Sequence, residues 1–266
     1  MAGPWPVVLS LHGGGGNGGA HQRYTRMDAL ADRERFVVAY PNGTGRFGNR
    51  LLTWNAGGCC GLAKQRGVDD VAFLRAVAGD LASRLTIDQT RIYATGLSNG
   101  AMMAYRLAQD ASDLVAAIAP VAGASVVDEV APARPVPILH IHSVDDPRAL
   151  YDGGLGPPFP LTNVRILHPA VEEMLARWRR AEGCPDSPRA DAALRGGPGN
   201  AHTATRTTWG PCRDGSEVVL WKLTGAGHVW PGGQPDYLTR VLGPGTDVID
   251  ANREMWQFFK RFSRTP

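Results

Sequence analysis

The chain has no apolar run approaching the ~20 residues that a membrane-spanning helix needs. Charged side chains make up only 20% of its 266 residues, and the formal net charge is +3. No basic run is interleaved with aromatic residues, so neither nucleic acid nor a membrane is predicted as a partner. The N-terminus also lacks the charged segment followed by an apolar segment that marks a secretion signal.

Metal and phosphate motifs are missing as well. No C-x-x-C pair occurs, and the histidines do not cluster beside the cysteines, which argues against a zinc site. A glycine-rich loop follows the first apolar run, but no Gly-Lys-Ser/Thr comes after it and its spacing is not a dinucleotide fingerprint. The sequence therefore predicts neither a metal nor a cofactor.

There are four cysteines, and they indicate an oxidising compartment, hence a secreted or extracytoplasmic protein. A bridge between Cys184 and Cys212 would pin the chain between them and could contribute ~3 kcal/mol. Cys59 and Cys60 are adjacent; they could form a strained disulfide, stay free or bond to partners. We favour a bond that rigidifies this loop.

Length and composition predict one α/β domain over residues 1–266. The 33 glycines and 20 prolines suit an enzyme built from long loops at one end of a sheet. The stretch Gly183 to Asn200 is rich in glycine, proline and alanine. It is interpreted as a surface excursion, because a strand-like run follows it.

The pentapeptide Gly96-Leu97-Ser98-Asn99-Gly100 lies between a strand-like run, residues 91–95, and a helix-like run, residues 101–108. In that context a G-x-S-x-G sequence predicts a nucleophile elbow, a turn too tight for side chains on both flanks. The hydroxyl of Ser98 would then stand at the end of the sheet, at the start of the next helix. The alternative is an ordinary Gly-Ser turn.

A nucleophilic serine needs a base, and the base needs a carboxylate to hold its tautomer. The apolar run 136–142 leads into a loop that contains Asp145 and Asp146, and the run 217–223 leads into a glycine-rich loop that contains His228. The order Ser, Asp, His agrees with that of elbow-containing hydrolases. We expect Ser98 and His228 to form a triad with one of the two aspartates.

An oxyanion hole is predicted where the strand-like run 6–11 ends in His12 and four glycines. Backbone N–H groups of Gly14 and Asn99 are the expected donors, with Gly13 or Gly15 as alternatives to Gly14.

Other residues have both a functional and a structural interpretation. Trp54 and Trp230 flank the predicted site, so each could line a substrate-binding wall or pack a loop onto the core. His140 and His142 are expected to point to opposite faces of their strand and to be hydrogen-bonded in the core. Asp69 and Asp70 are expected to begin a helix.

Four segments together resemble one family: residues 53–61, 68–74, 95–103 and 227–233. The likeness is to the secreted polyhydroxybutyrate depolymerases and feruloyl esterases, and to related acetyl xylan esterases. It implies an α/β-hydrolase fold with a mostly parallel sheet and helices on both faces. In that family the acid loop reads His-Gly-x-x-Asp-x-x-Val-Pro-Tyr, so the spacing from His142 selects Asp146. Ser143 and Leu150 depart from that pattern.

The resemblance implies a serine esterase that acts through an acyl-enzyme on plant cell-wall feruloyl or acetyl esters, or on polyesters. A serine peptidase and a catalytically weak ligand-binding homologue are the alternatives. Relatives usually have two strands before the strand that reaches the oxyanion loop, so the N-terminal strands are predicted to be shortened or missing. A sheet edge exposed in that way could be covered by another element or by a second copy of the chain.

Overall fold

The computed structural model describes residues 3–159, 163–197 and 200–264. In these residues the strands are β1 (Trp5–Leu11), β2 (Val37–Ala39), β3 (Ile87–Leu97), β4 (Ala117–Val121), β5 (Ile138–Ser143), β6 (Gly154–Leu155), β7 (Leu167–His168), β8 (Arg189–Arg195), β9 (Thr203–Trp209) and β10 (Val218–Thr224). The helices are α1 (Gly18–Thr25), α2 (Asp28–Glu34), α3 (Gly61–Gln65), α4 (Asp70–Arg84), α5 (Asn99–Asp110), α6 (Val171–Glu182), α7 (Thr239–Leu242) and α8 (Ala251–Phe259).

Eight of these strands form one sheet in the order β2-β1-β3-β4-β5-β10-β9-β8. The six strands from β2 to β10 pair in parallel, and β9 and β8 extend the sheet as antiparallel neighbours. Strands β6 and β7 form a separate hairpin. The central strands β4 and β5 are buried along their whole length, as expected for parallel strands covered on both faces.

Two hydrophobic layers cover the sheet. On one face α4, α5 and α6 pack their apolar sides, including Leu74, Met102 and Trp178. On the other face α1, α2 and α8 do so, including Tyr24 and Phe259. The predicted mostly parallel sheet with helices on both faces is therefore confirmed.

Because β1, β3, β5 and β10 run in the same direction, their carboxyl ends meet at one edge of the sheet. The glycine loop follows β1, Ser98 follows β3, Asp146 lies beyond β5, and His228 lies beyond β10. Ligands of open α/β sheets bind at this edge. The topology thus brings together residues that lie up to 216 positions apart in the sequence (His12 to His228).

At the sheet edges, the structure answers two expectations. Within the described residues no strand precedes β1, and the edge strand β2 is only three residues long. The stretch Gly183–Asn200 is not a plain excursion, because strand β8 occupies its middle and pairs with β9. Its residues 198 and 199 lie outside the described residues. Arg189–Arg195 forms a strand because it pairs with β9, with an irregularity between Ala190 and Ala192, and such tertiary pairing outweighs local composition.

Both expected disulfides are present: Cys184 is bonded to Cys212, and Cys59 to Cys60. Asp69 caps helix α4 by accepting a hydrogen bond from the Ala72 N–H, 2.9 Å away, as the sequence predicts. None of the described helices is long and apolar enough to cross a membrane.

Candidate active site

Ser98 lies on a sharp turn between β3 and α5. Its backbone has φ 58° and ψ −118°, a conformation that non-glycine residues rarely adopt. The flanking glycines are required sterically, because a Cβ at Gly96 or at Gly100 would collide with the backbone of Leu11. The Ser98 N–H donates to the Val121 carbonyl at 2.9 Å, which ties the turn to β4. This is the geometry of a nucleophile elbow.

Asp146 and His228 are in direct contact. The Nδ1 atom of His228 lies 2.7 Å from Oδ2 of Asp146, and both residues are at most 5% exposed. The His228 Nε2 atom has no partner among the described residues, and both His228 and Ser98 line one cavity. Bonding at Nδ1 leaves Nε2 as the nitrogen free to exchange a proton.

Asp146 is held by four donors in all. Its Oδ1 accepts from the backbone N–H groups of Arg148 and Ala149, at 2.7 and 2.8 Å. His142 Nε2 lies 3.3 Å from Oδ2. Burial alone would raise the pKa of Asp146, but the attraction of His228 and the hydrogen bonds from the two histidines lower it well below its usual value. The neighbouring Asp145 has a different position, accepting from the Gly225 N–H.

The glycine loop after β1 passes beside the elbow. The Gly15 N–H donates to the Leu52 carbonyl at 2.8 Å, so Gly15 is not available as an oxyanion donor. Gly14 N–H has no acceptor among the described residues. Asn99 is the first residue of α5, and the N–H groups of a first turn have no partner within the helix. Gly14 and Asn99 therefore keep free backbone donors beside Ser98, at the positive end of the α5 dipole. The Gly13 N–H also has no acceptor among the described residues, so Gly13 stays an alternative to Gly14.

His12 and Trp54 fix the shape of that loop. His12 Nδ1 lies 2.8 Å from the Gly13 carbonyl, and its Nε2 accepts from the Gly43 N–H at 3.0 Å. Burial lowers the pKa of His12, so the ring is neutral and can donate at one nitrogen and accept at the other. The Trp54 indole N–H donates to the His12 carbonyl. Asn99 binds both backbone polar groups of Trp54 through its side-chain amide.

The substrate-wall interpretation of Trp54 and Trp230 is wrong. Trp54 is 0% and Trp230 2% exposed, and neither lines the cavity. Trp230 donates its indole N–H to Asn252, and its backbone N–H binds the hydroxyl of Tyr24. Each indole N–H thus has an acceptor in the core, so burial of the tryptophan leaves no donor unsatisfied.

His140 and His142 do not point to opposite faces, because residues two apart on a strand share a face. His140 Nε2 lies 3.1 Å from His142 Nδ1, and His140 Nδ1 lies 2.9 Å from the Tyr105 hydroxyl. His142 Nε2 lies 2.7 Å from the Ala149 carbonyl, which can only accept. The proton on His142 is therefore on Nε2. A series of hydrogen bonds thus runs from Tyr105 through both imidazole rings to the loop that holds Asp146.

The cavity at this edge has a volume of about 300 Å³. Its floor is formed by the glycine loop, Ser98 and His228. Several wall residues were not identified from the sequence, because they come from loops and short elements in which no catalytic residue was predicted. They are Leu51, Arg148, Pro157, Phe159, Ile166, His168, Tyr237, Leu238, Val241 and Leu242. The walls are largely apolar, a common property of small-molecule sites.

No group of three or more histidine, cysteine, aspartate or glutamate side chains able to hold a metal ion occurs in the part of the chain that the structure describes. The groups that converge on the cavity are a hydroxyl on a strained turn, a carboxylate-bound imidazole and free backbone donors. That combination suits acyl transfer.

The sheet order, the elbow and the sequence of strand-end loops define the chain as an α/β-hydrolase. An acetyl xylan esterase from Aspergillus awamori has the same fold, with a TM-score of 0.61 at 17% identity; the match covers 98% of this chain and 90% of that one.

The chain belongs to the Esterase PHB depolymerase family, whose profile matches residues 3–178. It is thus a member of a family of carboxylic ester hydrolases, as the resemblance of its motifs predicts.

Individual relatives agree with this family. NocK of Nocardia uniformis subsp. tsuyamanensis, which is named as an esterase, is 32% identical over 90% of this chain and 69% of its own length. The bifunctional acetylxylan esterase/xylanase XynS20E of Neocallimastix patriciarum is 30% identical over 84% of this chain. Feruloyl esterase B of Piromyces equi is 28% identical, also over 84%. The chain spans only 28% and 39% of the length of these last two relatives.

Proposed function

We propose that the chain is a serine esterase that hydrolyses carboxylic esters through an acyl-enzyme. The observation that carries this proposal is the 2.7 Å contact between His228 Nδ1 and Asp146 Oδ2 in the cavity that Ser98 also lines. Ser98 is the nucleophile, His228 the general base and Asp146 the group that holds the base in its reactive tautomer.

In the first step Ser98 Oγ attacks the ester carbonyl as His228 Nε2 takes its proton. The negative charge that develops on the carbonyl oxygen is stabilised by the N–H groups of Gly14 and Asn99. His228 then returns the proton to the departing alcohol. Water attacks the acyl-enzyme by the reverse proton path and releases the acid together with the free serine.

For the substrate, we propose small acetyl or feruloyl-type esters of plant cell-wall polymers, or polyesters such as polyhydroxyalkanoate. The apolar walls of the cavity fit an acyl or aromatic group, and relatives are named acetylxylan esterase, feruloyl esterase and poly(3-hydroxyalkanoate) depolymerase. Rates on p-nitrophenyl acetate, methyl ferulate and hydroxybutyrate oligomers, measured side by side, would rank these classes. A matched amide panel would detect peptidase activity.

The test of the catalytic assignment is covalent labelling with a fluorophosphonate, followed by intact mass and peptide mapping. We expect one adduct, on Ser98, that is lost in Ser98→Ala and kept in Ser83→Ala, a control at an exposed serine outside the cavity. No adduct and no ester turnover would contradict the proposal and favour a ligand-binding homologue.

The two adjacent aspartates provide a second, matched test. Asp146→Asn should lower kcat by up to about 10⁴-fold, because an amide favours the wrong histidine tautomer. Asp145→Asn removes a carboxylate that contacts only the Gly225 N–H among the described hydrogen bonds, so its kcat should stay near that of the wild type. Equal losses in the two variants would contradict the assignment of Asp146.

We also propose that the chain works outside the cytoplasm, which its disulfides support. The edge strand β2 is where a second copy of the chain could pair with the sheet. An edge of three residues is already short enough to limit pairing with another chain. Light scattering after size exclusion would distinguish a monomer from a dimer.

A further inference from the structure

Arg148 is the single formally charged side chain among the described residues that line the cavity. No aspartate or glutamate shares the lining with it. Burial lowers the pKa of three lining histidines, His12, His21 and His168, which are therefore neutral at pH 7. The guanidinium is a cationic group on a largely apolar lining, and low-dielectric walls strengthen its attraction for an anion. The charge of the site therefore favours substrates with a negative group.

The guanidinium is oriented but not neutralised. It donates to the Pro158 carbonyl at 3.0 Å and lies 5.9 Å from the centroid of the Phe159 ring. No ion pair between Arg148 and a carboxylate occurs within the described part of the chain. Arg148 has five N–H donors in all, and the one recorded side-chain bond leaves others free for a ligand.

Phe159 connects this arginine to the reacting centre. The edge of its ring lies 3.5 Å from the position that a Cβ would take on Gly14. Phe159 therefore lies beside both Arg148 and the glycine loop that carries the proposed oxyanion donor. A negative group a few bonds from the ester could then reach Arg148.

His168 is another polar residue of the cavity lining. It is 8% exposed, and its Nδ1 atom is buried with no hydrogen-bond partner. Burial first, and then the nearby His228 among other charges, lowers the pKa of His168 to about 4. The ring is therefore neutral at pH 7 and carries one N–H to donate. Buried polar atoms are normally hydrogen-bonded, so an unpaired ring nitrogen on a residue that lines the cavity supports a polar ligand at this wall.

We propose that Arg148 and His168 form a carboxylate subsite and that the preferred substrates are esters that also carry an acidic group. The inference rests on the proposed esterase function and adds the chemical class of its substrate. Such an acid could belong to the acyl part, as in a dicarboxylic half-ester, or to the alcohol part, as in a hydroxyacid oligomer with a free chain end.

The test compares each acid with its own methyl ester. One pair is mono-p-nitrophenyl adipate and its methyl ester, with the acid in the acyl part; the other is the 3-hydroxybutyrate dimer and its methyl ester, with the acid in the alcohol part. We expect the ratio of kcat/KM, acid over methyl ester, to exceed one in at least one pair. In Arg148→Gln that ratio should fall about 10- to 100-fold, the effect of losing one charged hydrogen bond.

Three further variants sharpen the result. Arg148→Lys keeps the charge but not the planar fork, so its ratio should lie between those of wild type and Arg148→Gln. Arg253→Gln removes one positive charge at an exposed position outside the cavity and should keep the wild-type ratio. His168→Phe should lower the ratio, because it removes the N–H donor while filling the same space.

Two outcomes would overturn the subsite. One is a wild-type ratio of one or less in both pairs; the other is an equal ratio in wild type and Arg148→Gln. Turnover of the methyl esters separates this failure from failure of the esterase proposal. If the methyl esters are hydrolysed and Ser98 is labelled, only the subsite is refuted; if no ester is hydrolysed, the esterase proposal itself fails.

Discussion

Glu182 is a fully buried carboxyl at the last residue of α6. Replacing it by glutamine, which cannot ionise, is expected to stabilise the protein at alkaline pH. Its Oε1 accepts from the Val136 N–H at 2.9 Å, and its Oε2 accepts from the Ser216 hydroxyl at 2.7 Å. Burial raises its pKa from 4.5 to about 7, although these two bonds and nearby arginines act in the opposite direction. The folded protein therefore holds a proton at Glu182 that the unfolded chain has lost.

The sign of the pH dependence follows from this difference. Below pH 4.5 both states are protonated and Glu182 has no effect on pH dependence. As the pH rises from 4.5 towards 7, ionisation of Glu182 lowers the free energy of the unfolded state, while the folded state keeps its proton and is not stabilised in this way. The resulting loss of stability reaches about 3 kcal/mol for a shift of this size, because each pKa unit corresponds to about 1.4 kcal/mol.

Glu182→Gln removes the ionisation but can keep both hydrogen bonds, because the amide oxygen can accept from Val136 and the NH2 can donate to Ser216 Oγ. Urea denaturation at pH 5 and pH 8 should show that the gain of Glu182→Gln over wild type is larger at pH 8, by up to about 3 kcal/mol. Glu173→Gln, at an exposed position on the same helix, should show no such change. An advantage of equal size at both pH values, or a variant less stable at pH 8, would refute the reasoning.

Two further predictions concern the disulfide and the buried histidines. Replacing Cys184 and Cys212 together by serine opens a loop with a sequence separation of 28. It should lower the free energy of unfolding by about 3–4 kcal/mol, seen in thermal denaturation, while ester turnover at 25 °C persists because neither residue lines the cavity; an unchanged Tm would contradict this. His142→Phe removes the donor 3.3 Å from Asp146 Oδ2 and the bond to the Ala149 carbonyl. It should lower kcat/KM about 10-fold, as expected for the loss of one hydrogen bond to a charged group, and should shift the acidic limb of the pH–rate profile. Tyr105→Phe, at the far end of the same chain, should leave that limb in place, and identical profiles for His142→Phe and wild type would show that His142 does not position the acid.

The sequence determined most of the fold and the order of the site residues. The strand β3 and the helix α5 were predictable from the strand-like and helix-like runs on either side of Ser98. The glycines at positions 96 and 100 indicated the tight turn between them. Asp146 and His228 could be expected to lie close together, because each follows an apolar strand-like run and the carboxyl ends of parallel strands meet at one edge of a sheet. The disulfide between Cys184 and Cys212 could be expected from cysteine number and position.

Only the tertiary structure decided which groups face the cavity. Trp54 and Trp230 are of a residue type that often lines binding sites, yet both are buried in the core. Their burial is tolerated because each indole N–H has a hydrogen-bond acceptor inside the protein. Arg148 and His168 lie on the wall although no motif marks them. Sequence patterns record local conformation and burial, whereas the lining of a cleft depends on how loops from distant strands pack against one another.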